Sequence, residues 1–195
     1  MAATGLAATV ARALPLAAVA EGQSLPFADT DATLQAFADT IIPGRKAERT
    51  DLGNAIAPGA IAGVDELPGA VETDALALYH HPLTGFDALA PLFLAELSSR
   101  SLQHGGDFLS LAFDKRVEVL KGALAFDNPD RLLWEAAAAV PFTAFCAAAL
   151  VEEQTAAKAS GYRVMGLPGA APHGYKGFSY GRKLARERTR TGSLR

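Results

Sequence analysis

Ala136–Val151 reads AAAAVPFTAFCAAALV and contains no charged residue. No other stretch of the chain restricts the fold as strongly. Alanine is the best helix former, and a helix without polar positions asks for burial on every side. The stretch therefore predicts the central, most buried helix, with Pro141 marking a kink or break. It is too short to cross a membrane, and no window of about 18 apolar residues is free of both charge and proline. Cys146, the only cysteine, lies inside it and reads as a small buried hydrophobe. A lone cysteine excludes a disulfide framework and a thiolate-rich metal site.

The rest of the chain follows the same preference. It has 195 residues, half of them hydrophobic, which suits one domain with long arms. Val, Ile and Thr are sparse, and no convincing alternating strand pattern occurs. Apolar spacing predicts a first helix over 30–42, with Leu34, Phe37 and Ile41 on one face. Asp29 or Thr30 would cap it, and Pro43-Gly44 would stop it. A charged loop follows over 45–54. A short helix is expected to start at Pro58, and another covers 69–81. The next, over 84–103, lines up Phe86, Leu89, Phe93 and Leu97, with Pro91 kinking or delaying it. A helix over 112–125 aligns Val117, Leu120 and Leu124 and lets Glu118 pair with Lys121 outside. The last starts at Asn128-Pro129-Asp130 and runs to about residue 160. The fold expected is all-α: an irregular bundle of about six helices over 27–161. A flexible N-terminal arm, 1–26, and an extended Gly/Tyr/Arg-rich arm, 162–195, flank it.

Charge is divided between body and arm. Residues 161–195 hold eight Lys/Arg against one acid, a net +7, while the remaining chain holds ten basic and twenty acidic groups, a net −10. Such asymmetry marks an interaction arm. Tyr162, Tyr175, Phe178 and Tyr180 alternate there with glycines and with Arg163, Lys176, Arg182 and Arg186. Tyr and Arg dominate protein interfaces, and glycine lets a strap follow another surface closely. A partner-binding strap is thus the expectation, against a free tail or a nucleic-acid-binding end.

Chemistry is harder to find. No H-E-x-x-H or C-x-x-C-H motif is present. Gly166-Leu167-Pro168-Gly169 neither follows a strand nor opens a helix, so no FAD or NAD site is expected in this chain. His80-His81 and His104 stand at helix ends, where positive charge suits the dipole. Adjacent histidines on a helix point about 100° apart and do not readily share a metal. Asp107, Asp114, Glu118, Asp127 and Asp130 read as caps and dipole partners. The competing reading is a stand-alone helical enzyme using His80, His81 or His104.

Three stretches carry a resemblance. Ala38–Gly44 (ADTIIPG), Phe108–Leu120 (FLSLAFDKRVEVL) and Gly166–Gly169 (GLPG) are similar, in order and spacing, to motifs of gluconate 2-dehydrogenase subunit 3 proteins. Leu167 replaces the family's usual Tyr in the last. The similarity spans about 30–181. It implies a small, cofactor-free subunit of a sugar or alcohol dehydrogenase, whose large partner is a flavoprotein of the glucose–methanol–choline type carrying FAD and the catalytic residues. No catalytic residue carries over. Family members often bear a twin-arginine signal, which this sequence lacks. A cytoplasmic complex is therefore expected, with export alongside the partner left open. The partner contacts expected are Tyr162, Tyr175, Lys176, Phe178, Tyr180, Arg182 and Arg186.

Overall fold

In the computed structural model, residues 27–150 and 158–166 are described. They form an all-α fold with no sheet, and one isolated bridge joins Arg49 and Ala55. The six α-helices are α1 (Phe27–Ile41), α2 (Ala75–Tyr79), α3 (Ala90–Gln103), α4 (Phe113–Ala123), α5 (Arg131–Ala147) and α6 (Ser160–Val164). Short 3-10 turns at Phe86–Ala88 and Phe108–Ser110 lead into α3 and α4.

The core is an aromatic cluster where α1, α3 and α5 meet. Phe37, Phe93 and Trp134 are fully buried. Phe93 meets Phe37 edge-on at 4.9 Å between ring centroids and Trp134 at 5.2 Å. Phe86 extends the cluster to Tyr79 at 4.7 Å. Edge-to-face pairs of this kind add about 0.5–1.5 kcal/mol each beyond area burial. The spacing read for α1 holds, while the 84–103 helix is shortened to Ala90–Gln103: Pro91 stands in its first turn and delays it without kinking it, and Phe86 and Leu89 lie before its start.

α5 continues through Pro141, which is buried. Proline has no N–H, so the Ala137 carbonyl one turn earlier loses its helical donor. The buried Tyr79 hydroxyl supplies the bond, donating to Ala137 O at 2.9 Å. Burial also raises the pKa of Tyr79 well above that of an ordinary phenol, which keeps the donor proton in place.

Several local expectations are corrected. No helix starts at Pro58. Residues 58–60 form a turn, because their polar backbone groups have other partners. Ala62 N–H donates to Asp39 Oδ2 at 2.9 Å, and Arg116 donates to Gly59 O and Ala60 O at 3.1 Å each. The 69–81 helix shrinks to Ala75–Tyr79 because Asp74 adopts a left-handed conformation, φ 63°. Its carboxylate is held by Thr50 Oγ1 at 2.6 Å and Asn54 Nδ2 at 2.7 Å. In α4 the buried face is Arg116, Val119, Leu120 and Ala123, with Val117 only half-buried. Turning Arg116 inward rotates the helix, and Glu118 pairs with Lys115 at 2.8 Å, not with Lys121. Asn128-Pro129 precedes α5 instead of entering it, and Asp130 at the cap position makes no side-chain cap bond.

α5 is also not buried on all sides. It ends at Ala148, in a left-handed conformation with φ 46°, so it does not run to residue 160. Leu133, Trp134, Ala137, Val140, Pro141 and Ala144 face inward, whereas Ala139, Phe142 and Cys146 are exposed. Cys146 is therefore a surface thiol, not a core hydrophobe.

The Tyr79–Pro141 relation can be tested by a double-mutant cycle. Tyr79→Phe should cost about 1–3 kcal/mol in chemical denaturation, because it orphans a buried carbonyl. In a Pro141→Ala background the restored amide bonds Ala137 O itself, and the same change should cost under about 1 kcal/mol. Equal costs in both backgrounds would sink this account.

Candidate functional site

The motif residues come first. Asp39, in ADTIIPG, is fully buried; its Oδ1 accepts from Gly44 N–H at 3.1 Å and its Oδ2 from Ala62 N–H. Arg116, in FDKRVEVL, is also buried. Besides Gly59 O and Ala60 O it donates to Leu111 O at 3.1 Å and Leu109 O at 2.7 Å, and it lies over the Phe108 ring. Burial raises the Asp39 pKa, while the Ala62 and Gly44 amides and the Arg116 charge oppose the rise. Burial lowers that of Arg116, and Asp39 opposes it. Gly44 also has a steric role. A Cβ there would stand 2.6 Å from the backbone nitrogen of Gly69, so the two segments touch main chain to main chain. These motif groups have their bonds inside the fold.

The histidines close element ends. His80 caps the C-terminus of α2, and His104 that of α3. His80 lies between two carboxylates, Nδ1 at 3.0 Å from Asp87 and Nε2 at 3.0 Å from Asp31. It thereby ties α2 to α1 and to the 3-10 turn before α3. Burial alone would lower its pKa, but the Asp87 and Asp31 bonds outweigh it, and the net shift is upward. His81 Nδ1 accepts from Leu83 N–H at 3.3 Å, and His104 Nδ1 stands 3.5 Å from Glu118. Lys115, with His104 assisting, holds the Glu118 carboxyl below its ordinary pKa. Asp107 precedes its 3-10 turn without a side-chain cap bond, and Asp114 lies in the first turn of α4. Among the described residues no group of three or more His, Cys, Asp or Glu could hold a metal. No described helix is long and apolar enough to cross a membrane.

A cleft of about 420 Å³ opens between α1, α3 and the turn before α4. Its floor is Leu94, Leu97 and Phe108, and Thr33, Ser98 and Ser110 stand around it. Arg116 shapes one wall through its bonds to Gly59 O and Leu109 O.

The base of the C-terminal arm is built with equal care. Asp51, in the long loop after α1, caps α6 from 109 residues away. Its Oδ2 accepts from Ser160 N–H and its Oδ1 from Ser160 Oγ, both at 2.7 Å. α6 then crosses α5 so closely that a Cβ on Gly161 would lie 2.0 Å from Phe145 O. Tyr162 Oη donates to Ala147 O at 2.9 Å, satisfying a carbonyl at the end of α5. Of the expected partner contacts, Tyr162 is thus placed at the root of the arm. Tyr175, Lys176, Phe178, Tyr180, Arg182 and Arg186 lie outside the described residues. Asp51 escaped the sequence reading because nothing local distinguishes it from any turn aspartate. Tyr79 had a signal, since an interior Pro141 implies an orphaned Ala137 carbonyl.

The fold and these contacts define a helical domain that anchors the start of a basic C-terminal segment against its longest helix. The chain belongs to a family of unknown function, DUF5987, which matches residues 28–194. No curated protein and no solved structure matches it. The family match includes residues 167–194 but not the first 27 residues, so the arm is part of what the family shares.

The His80 bridge predicts a pH dependence. Its folded pKa lies above the ordinary 6.5, so its contribution to stability is fully present below about 6.5 and is lost as pH rises through the folded value. His80→Gln should lower Tm by about 1–3 °C on the acidic side, as suits a partly exposed pair, and leave it unchanged on the alkaline side. Melting curves of both proteins across that range check it. A constant difference would remove the bridge as the cause.

Proposed function

We propose that this chain is a non-catalytic small subunit of a heteromeric FAD-dependent oxidoreductase of the glucose–methanol–choline type, acting on a sugar, glycoside or alcohol. FAD and the reacting groups belong to the large subunit. This chain binds that subunit and stabilises it, with Tyr162, Tyr175, Lys176, Phe178, Tyr180, Arg182 and Arg186 at the interface. The complex is cytoplasmic on this reading.

The observation that carries the proposal is where the motif residues point. Asp39, Gly44 and Arg116 belong to the stretches behind the resemblance to gluconate 2-dehydrogenase subunit 3 proteins. All three are buried; Asp39 and Arg116 bond to backbone groups and Gly44 N–H donates to Asp39, which is how residues of a structural motif behave. His80, His81 and His104 are joined to neighbouring groups at element ends. The arm's root, in turn, is fixed by Asp51, Gly161 and Tyr162, a fitting base for a segment of net charge +7 that follows an acidic body in sequence.

Co-expression with the candidate flavoprotein tests this. Removing residues 162–195 should reduce recovery of the flavoprotein in a pull-down by about tenfold or more, as expected on losing one or two anchor side chains. Undiminished recovery would refute the strap. Activity of the isolated chain that disappears on His80→Ala would favour the enzyme reading instead.

A further inference from the structure

The cleft between α1, α3 and the turn before α4 has no place in the strap reading, yet it is built like a small-molecule site. Its floor is apolar and well packed, because Leu94, Leu97 and Phe108 are all buried core residues. Arg116 lies over the Phe108 ring and is itself bonded to four backbone carbonyls, so the floor keeps its shape. The volume of about 420 Å³ falls within the range of ligand pockets. An apolar cavity of about 150 Å³ already takes a benzene ring, so this cleft has room for such a ring and a short chain.

The polar side chains around that floor favour one kind of head group. Asp107 is exposed and is the only charged residue among those lining the cleft. Its carboxylate makes no cap bond and no other bond among the described residues. The half-buried Ser98 hydroxyl is likewise unbonded there. Ser110 Oγ donates its proton to Asp107 O at 2.7 Å, which leaves that oxygen as an acceptor. The nearby cation, Arg116, is buried and turned toward carbonyls, so an anion would find no open positive charge. An ammonium brings three donors and no acceptor, which matches these groups.

We propose that the cleft binds a small arylalkyl amine in its ammonium form. The ring rests on Leu94, Leu97 and Phe108. The ammonium faces the Asp107 carboxylate, with the Ser98 and Ser110 oxygens as further acceptors. Attraction to Asp107 favours the cation over an alcohol of the same shape and disfavours a carboxylate. The site is made of the helical body alone and does not depend on the oxidoreductase reading.

Three probes of one shape test this on the full chain without partner: phenylpropylamine, phenylpropanol and phenylpropanoate, titrated at neutral pH into isotope-labelled protein and followed by NMR. The amine should move the amide signals of Ser98, Leu109 and Ser110. It should bind about three- to fivefold more tightly than the alcohol, as suits an exposed charge pair, with the carboxylate weakest. Asp107→Asn changes a side chain that holds no other described group, so the fold is retained. It should bring the amine to the alcohol's affinity and leave the alcohol's own affinity unchanged. The proposal is overturned by any of three results: no saturable shift of these amides with the amine, equal affinity for amine and alcohol, or an amine affinity indifferent to Asp107→Asn.

Discussion

A buried carboxylate and a buried guanidinium grip one loop from two sides, and much of the fold depends on that grip. Asp39 takes amide protons from Gly44 and Ala62, while Arg116 gives protons to the carbonyls of Gly59, Ala60, Leu109 and Leu111. Each charge is satisfied mainly by backbone dipoles, with the opposite charge acting at longer range. Removing either would leave the backbone groups it holds without partners in a dry interior, and would take from the other charge its longer-range compensation. This explains why two polar residues occupy positions that helical packing would otherwise give to leucine.

The grip lets a long irregular segment behave as part of the core. Between α1 and α2 the chain runs from Ile42 to Asp74 without a helix, a length that is uncommon inside a compact domain. It is held at intervals: Gly44 against Gly69, Arg45 on Glu72, Thr50 and Asn54 on Asp74, and Asp39 and Arg116 on residues 59–62. A loop so fixed can present Asp51 accurately enough to cap α6. The root of the C-terminal arm is thus set by a chain of contacts that starts in α1.

Some of the arrangement could be read directly. Leu34 and Phe37 on α1, and Phe93 and Leu97 on α3, recur at helical spacing and are all fully buried. Pro43-Gly44 ends α1 as its chemistry requires, and His80 and His104 cap the helices they follow. Other expectations failed where a distant group took over the local backbone. Pro58 promised a helix start, but Arg116 and Asp39 claim the groups such a helix would need. The block 136–151 suggested full burial because it lacks charge, yet composition does not say how many sides of a helix receive neighbours. The candidate contacts of the arm were visible as residue types, whereas the place where the arm leaves the body was not.

The sequence by itself determined the helical class, the positions of most breaks and the separation of an acidic body from a basic arm. Those properties arise from propensity, periodicity and charge, which act over a few residues or add along the chain. Only the tertiary structure decided that Tyr79 serves the carbonyl left by Pro141, that Asp51 caps a helix 109 residues away, and that Cys146 faces outward. Each of these joins groups far apart in the chain. A hydrogen-bonding group in a folded protein takes the partner that packing brings to it, and packing is a property of the whole chain.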